Sequence, residues 1–331
     1  MIKNVLLTLL VLFVSLGQFV LGQAPMKLKV GLYIRSLSIN NKEKHAIIDL
    51  YYWYKFKLPK DTSDLKSYYQ LEVTNGDLIF NEIQEERMIK DTFYISGHMK
   101  GNFQFDANYV NYPFDKQKLM IQFEHPFFTK EEVVLVPDEA SYKKCKIRKE
   151  FWGLSDSLQA DGLYAHKSEF VEGSRVYETD FGDPEIEETE SSYSNISFFI
   201  YVSRDAVPYT LKFMLPLIII LCLAYLVFYI PADALDLAAG LTVTSLLAGI
   251  AFQWTISDDL PGVGYLTCVD RIFYLSYSLI MVAMVQTIWT YHLDKNGNVK
   301  LADALEIGGR WLFPILFFGG TTYFILSASM N

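Results

Sequence analysis

The chain has 331 residues, 51% hydrophobic and 20% charged, with a net charge of −9 at neutral pH. That acidic balance argues against a nucleic-acid partner and suits a surface that concentrates cations. Cys145 is the lone cysteine of the polar half, which excludes a disulfide framework there, and no phosphate loop, G-x-S-x-G motif or metal-spaced His/Cys cluster points to an enzyme.

In chain order, Lys3 precedes a short apolar run, 5–16, and no charge follows until Lys27. This predicts a signal peptide over 1–22, with an uncleaved anchor as the alternative, and it places the next segment outside the cytoplasm. Residues 23–206 are polar and aromatic. Segments 27–37, 46–58, 91–97, 101–105, 117–124, 132–137, 174–180 and 195–203 are rich in Val, Ile, Tyr and Phe, and many alternate. Turn residues separate them, at 40–41, 75–77, 153, 162, 173 and 182–184. The pattern predicts an immunoglobulin-like all-β sandwich over 23–206.

From 207 the chain is mostly apolar. Four spans are expected, at 209–229, 236–257, 270–293 and 310–330, each close to the ~20 residues that cross a bilayer. The fold class is therefore a β-sandwich followed by a four-helix membrane bundle, domain 207–331. Trp289, Tyr291, Trp311 and Tyr323 fall near span ends, as interfacial aromatics do. Lys295, Lys300 and Arg310 suit a cytoplasmic loop after the third span, which puts both termini on the outer side.

Within the second span, Asp236, Gly240, Thr244, Leu247, Ala251, Trp254 and Asp258 recur at steps of 3 and 4, the period of an α-helix. The stripe is acidic at its ends, small or hydroxyl-bearing low down and apolar above. A helix that only anchors gains nothing from it, whereas acids near a pore select cations and apolar rings gate by dewetting. For Trp254 the alternatives are packing into the subunit or interfacial anchoring. For Asp236 the alternative is an acid that stabilises the helix N-terminus.

These residues resemble the Cys-loop receptor superfamily, the pentameric ligand-gated ion channels, and most closely its prokaryotic members. Tyr112-Pro113-Phe114-Asp115 is similar to the core of the family's signature loop. The bridged cysteines of animal members fall on Phe105 and Leu119, so the resemblance implies no disulfide. Arg204 before Pro208 and Tyr209, Pro216 in the first span, and Asp259-Leu260-Pro261 with Tyr265 after the second complete the match.

The resemblance implies a homopentamer in a bacterial inner membrane, passing monovalent cations along five copies of the second helix and contacting membrane lipid. It makes Leu247 the mid-pore girdle, Asp236 the inner acidic ring, and Pro113, Asp115, Arg204 and Pro261 the coupling between domains. A proton-gated bacterial member carries a histidine in this helix; the aligned position here is Gly249. The family's agonist site lies between subunits beneath a hairpin. The matching hairpin, 178–194, holds Glu178, Asp180, Asp183, Glu185, Glu187, Glu188 and Glu190 and no basic residue. Phe181, Glu185 and Tyr193, with Trp53 and Trp152, are the candidate ligand residues. Acids with aromatics suit a small cationic amine, and equally Ca²⁺ modulation; a solvated hairpin without ligand is the bland alternative. No cofactor is expected. The rival function is a membrane-anchored sensor that does not conduct.

Overall fold

The structure is a computed structural model that describes residues 24–58, 65–142, 152–179, 191–258 and 262–330. Ten strands form two sheets: β1 (Met26–Asn40), β2 (His45–Lys57), β3 (Glu72–Val73), β4 (Gly76–Ile89), β5 (Thr92–Gln104), β6 (Lys116–Glu124), β7 (Val133–Pro137), β8 (Leu154–Gln159), β9 (Leu163–Tyr177) and β10 (Ser191–Arg204). One sheet runs β4-β5-β2-β1-β7 with β8 on β1; the other runs β3-β6-β10-β9.

Alternation decides which face is buried. On β1, Leu28, Val30, Leu32 and Ile34 point inward, opposite Ile48, Leu50, Tyr52 and Tyr54 of β2. Leu119, Ile121 and Phe123 of β6 and Ile196, Phe198, Ile200 and Val202 of β10 meet them from the second sheet in one core cluster. Phe105 and Leu119, the positions of the missing cysteines, both pack with this cluster.

The sandwich departs from the sequence expectation at several strands: β3 and β8 lie in segments given no strand, and three larger differences follow. The segments 91–97 and 101–105 are one strand, β5. Gly97 is no break there: a side chain at this position would collide with the Tyr52 hydroxyl and the Glu82 carbonyl. Residues 76–89, of which only 76–77 were assigned, to a turn, form β4, an edge strand exposed along nearly its whole length. It has no buried face, so it shows no alternation. β9 starts at 163, not 174, and runs through Gly173, where the Asn195 side chain crosses closely from β10.

Four helices follow: α1 (Ala206–Tyr225), α2 (Leu235–Ser257), α3 (Cys268–Lys295) and α4 (Val299–Met330), each long and apolar enough to cross a membrane. A 3₁₀ turn, Leu226–Tyr229, extends α1. α4 begins at Val299 rather than 310, because hydropathy reports only the apolar part of a helix that continues into polar sequence. α3 starts at a capping box: Thr267 Oγ1 accepts from the Asp270 amide, and the Asp270 carboxylate accepts from the Thr267 amide at 3.0 Å. Asp270 also accepts from Gln253 on α2 at 3.1 Å, and Tyr277 Oη lies 2.9 Å from both Gln253 Oε1 and the Gly249 carbonyl oxygen. These contacts set which face of α2 turns inward.

Candidate functional site

That inward face carries Ala238, Thr242, Ser245 and Gly249, all buried. Thr242 Oγ1 satisfies itself on the Ala238 and Ala239 carbonyls and also reaches Met284 Sδ at 3.0 Å. The opposite face is the predicted stripe. Asp236, Gly240, Thr244, Leu247, Ala251, Trp254 and Asp258 are all exposed, Leu247 at 62% and Trp254 at 74%. No other atom lies within 4 Å of a Cβ placed at Gly240. Trp254 therefore does not pack into its own subunit, and the stripe is free to meet other copies or water. Gly249, where a family member has a histidine, faces the Tyr277 ring instead.

Above α2 the two domains meet at a buried ion pair. Arg204 Nε donates to both Asp115 oxygens at 3.0 and 3.2 Å, and the two side chains are 4% and 1% exposed. The guanidinium covers the Tyr112 ring at 5.3 Å, and Arg204 Nη2 donates to Asn41 Oδ1 at 2.6 Å. Gln117 Nε2 donates to Asp115 Oδ2 and to the Asn108 carbonyl, so the carboxylate is satisfied on both oxygens. Pro113 is buried beside the pair, after a cis peptide with Tyr112. Tyr109 and Tyr112 of the same loop sit in the membrane-domain cluster with Phe213, Leu217 and Val269, and the Tyr109 amide donates to Tyr265 Oη at 3.0 Å. Pro261 lies outside the described residues. Asn41 was read from sequence only as a turn residue, yet its amide oxygen accepts from Arg204.

A third contact reaches α2 itself. Lys42, in the β1–β2 turn, places Nζ 3.4 Å from Asp258 Oδ2.

The hairpin tip, 180–190, with Phe181, Glu185 and every hairpin acid except Glu178, lies outside the described residues. Its base is well defined. Tyr193 packs edge-on against Tyr177 at 5.8 Å, and Tyr177 Oη donates to Glu124 Oε1 at 2.7 Å. Glu124 is buried at the end of β6, its Oε2 has no hydrogen-bond partner, and burial holds its carboxyl above the usual range. Next to it, His125 Nδ1 accepts the Phe127 and Phe128 amides at 3.2 and 3.0 Å, and burial pushes this imidazole down to about 4. Phe128 stacks on Tyr68 at 4.7 Å. Tyr177, Glu124 and Phe128 escaped the sequence reading because they come from three separate segments, with only aromatic and acidic character to mark them.

Trp53 and Trp152 are placed differently from that reading. Both rings contact Tyr142, at 5.4 Å each. Trp152 packs on Phe170 and the sandwich core. Trp53 lies over Gly31, which has no side chain to obstruct it, and its Nε1 donates to Asp138 at 2.8 Å. Trp152 is thus a packing residue. Tyr193's ring partner is Tyr177, and neither tryptophan joins it within one chain. Among the described residues no group of three or more His, Cys, Asp or Glu is placed to hold a metal.

No protein-family model matches the chain. Among curated proteins it is 24% identical over 124 residues to a proton-gated ion channel of Gloeobacter violaceus, covering 38% of this chain and 34% of the relative. It is 24% identical over 195 residues to pH-sensitive chloride channel 2 of Drosophila melanogaster, covering 56% and 34%. It is 21% identical over 277 residues to 5-hydroxytryptamine receptor 3A of Rattus norvegicus, covering 77% and 54%. The matches thus span between a third and about half of these relatives' length. A β-sandwich leading into four membrane-length helices is the architecture of a multi-pass membrane protein, and the relatives are ion channels and receptors, not enzymes. With these relatives, the chain is similar to members of the Cys-loop receptor superfamily of pentameric ligand-gated channels.

Proposed function

We propose that five copies of this chain form a ligand-gated, cation-selective channel in a bacterial inner membrane, with the sandwich and both termini on the periplasmic side. The observation that carries the reading is the exposed stripe of α2: seven residues at helical spacing, with carboxylates at Asp236 and Asp258, Leu247 and Trp254 as apolar constrictions, and no basic side chain. Asp236 favours cations at the inner mouth, and Leu247 and Trp254 close the resting pore by excluding water. The relatives include chloride channels, so selectivity is argued from the stripe alone.

The hairpin base supports a small cationic amine as agonist. Glu124 offers a buried, half-satisfied carboxylate beside Tyr177, Tyr193 and Phe128. An ammonium group there gains a charge-assisted hydrogen bond and cation–π contacts. Trp53 would complete the site from the neighbouring subunit. Binding shifts a closed–open equilibrium, which Asp115, Arg204 and the loop at Pro261 carry to α2.

The test is two-electrode recording from oocytes that express the chain, against a panel of small amines and a pH sweep. Currents should reverse with the Na⁺ and K⁺ gradients, Asp236→Lys should abolish that preference, and Glu124→Gln should raise the amine concentration needed. A reversal potential that follows chloride would sink cation selectivity. Silence of wild type and Trp254→Ala alike, despite surface expression, would favour a sensor that does not conduct.

A further inference from the structure

Apolar helices tolerate Ser and Thr because each hydroxyl can donate to the carbonyl four residues back. α3 carries four such residues between its cap and its C-terminus: Ser276, Ser278, Thr287 and Thr290. Three of them follow the rule. Ser276 donates to the Ile272 carbonyl at 2.8 Å, Ser278 to Tyr274 at 2.8 Å and Thr287 to Ala283 at 2.9 Å. Thr290 breaks it. Its Oγ1 is buried with no hydrogen-bond partner, and the residue is only 3% exposed. In a membrane-length helix no bulk water stands by to satisfy it.

Thr290 lines a cavity of about 10 Å³ at the end of the bundle away from the sandwich. Gln286 and Thr287 of α3, Glu306 of α4 and the segment that leads from the 3₁₀ turn to Ala232 complete its wall. Several of these groups can still accept a hydrogen bond. Gln286 spends its amide nitrogen on the Leu305 carbonyl at 2.6 Å, which leaves Oε1 as an acceptor. Thr287 Oγ1 has donated but has lone pairs left. Glu306 meets Arg310 Nη2 through Oε2 at 3.5 Å, and among the described residues its Oε1 takes no hydrogen bond.

We propose that this cavity is a binding site for a single water molecule that bridges Thr290 Oγ1 to the Glu306 carboxylate. The size admits one water and nothing larger, and a buried water needs two to four polar partners, which these walls supply. A cation is disfavoured, because Arg310 already offsets the charge of Glu306 and no second carboxylate lines the cavity. An apolar guest would leave the Thr290 hydroxyl stranded. Water both donates and accepts, so it can serve the hydroxyl and the carboxylate together. It joins α3 to α4 directly behind the 230–232 segment, four residues before Asp236.

The test combines thermal unfolding of the full-length, detergent-solubilised protein with a wild-type density map fine enough to show ordered water elsewhere in the bundle. The two sides of the argument differ in sign. Thr290→Val keeps the shape and removes only the hydroxyl. With the water in place it deletes a real hydrogen bond and should lower the unfolding midpoint by about 2–4 °C. In a dry cavity it deletes an unsatisfied group and should raise the midpoint. Thr290→Ser keeps the hydroxyl and should stay closer to wild type than Thr290→Val. The map should show density within hydrogen-bond reach of both Thr290 Oγ1 and the Glu306 carboxylate. The proposal is overturned if Thr290→Val leaves the midpoint unchanged or raises it, if Thr290→Ser falls as far as Thr290→Val, or if the map shows no density there. The map is of wild type, so it decides the matter even where a variant fails to fold.

Discussion

Along β2 the buried side chains are Ala46, Ile48, Leu50, Tyr52, Tyr54 and Phe56, and along α2 they are Ala238, Thr242, Ser245 and Gly249. The strand hides its large residues and the helix shows them, with Leu247 and Trp254 exposed. The sandwich is built against water, which drives apolar area inward. The helices are built for a setting in which lipid is as apolar as leucine, so small and hydroxyl residues set the contacts. The junction obeys neither rule. There an ion pair is buried, and it has to be satisfied by geometry instead of solvent.

The largest effect should come from breaking that pair. Asp115→Ala leaves Arg204 buried with only Asn41 and the Tyr112 face, and should cost about 3–5 kcal/mol. Thermal unfolding and size-exclusion chromatography of the detergent-solubilised protein would show this as a lowered midpoint and loss of the oligomer. Replacing both partners, Asp115→Leu with Arg204→Met, should recover much of the loss but not the response to agonist. A stable, assembled Asp115→Ala protein would show that the pair is dispensable to the fold.

Acid should find the next weakness, and it lies in the sandwich. His125 is fully buried, and its desolvation depresses its pKa from an ordinary 6.5 to about 4. Above pH 6.5 it is neutral both folded and unfolded, and its contribution is complete. As pH falls from 6.5 through 4 the unfolded chain takes up the proton more readily than the folded one, so stability drops by up to about 3 kcal/mol. Glu124 runs the opposite way. Its raised carboxyl contributes at low pH and loses that contribution as pH rises through its folded value. His125→Asn keeps an acceptor for the Phe127 and Phe128 amides but cannot titrate. Its unfolding midpoint should vary less between pH 7 and pH 4 than that of wild type, and an equal slope would assign the acid sensitivity elsewhere.

The two faces of α2 can be set against each other with one methyl group. A Cβ on Gly249 would stand 2.9 Å from Tyr277 Cε1, so Gly249→Ala should push α3 away and cost about 1–3 kcal/mol. Gly240→Ala meets nothing in its own subunit and should stabilise the helix by about 0.5–1 kcal/mol. Its effect should appear in conductance instead. Matched thermal shifts for the two variants would mean that Gly240 also faces packed protein in the assembled ring.

These contrasts bear on what the sequence could disclose. The stripe of α2 was legible because helical spacing and a switch from charge to hydroxyl to apolar residues coincide on one face. The core faces of β1, β2 and β6 were legible because burial on one side forces alternation. β4 was not, since a strand exposed on both faces carries no period, and the first half of β9 was not, since its buried positions include Ser168 and its face is mixed with His166, Lys167 and Glu169. The candidate ligand residues were hardest. Trp53 and Trp152 stand out by size, yet Trp152 is packing and Trp53 already serves Asp138. Glu124, Tyr177 and Phe128 look ordinary until folding brings three segments together. Charge partners were only half visible: Arg204 and Asp115 stand out through the family resemblance, whereas Asn41 depends on where a turn happens to dock.

The smallest effect on stability belongs to an ion pair that links the β1–β2 turn to α2. Lys42 and Asp258 lie 3.4 Å apart with side chains 57% and 83% exposed, so water screens them and their mutual stabilisation is about 0.2–1 kcal/mol. Lys42→Glu should therefore leave unfolding nearly unchanged. Its position gives it leverage of another kind. Asp258 caps the stripe that carries Leu247 and Trp254, and the turn holding Lys42 also holds Asn41, which grips Arg204. A fraction of a kcal/mol that differs between closed and open states moves an agonist response curve by up to about fivefold. Lys42→Glu should shift that curve, and the swap Lys42→Asp with Asp258→Lys should move it part of the way back. Raised salt should shrink both shifts, because screening acts on exposed pairs and spares buried ones. A curve indifferent to all three changes would show that this surface pair carries no coupling between the β1–β2 turn and α2.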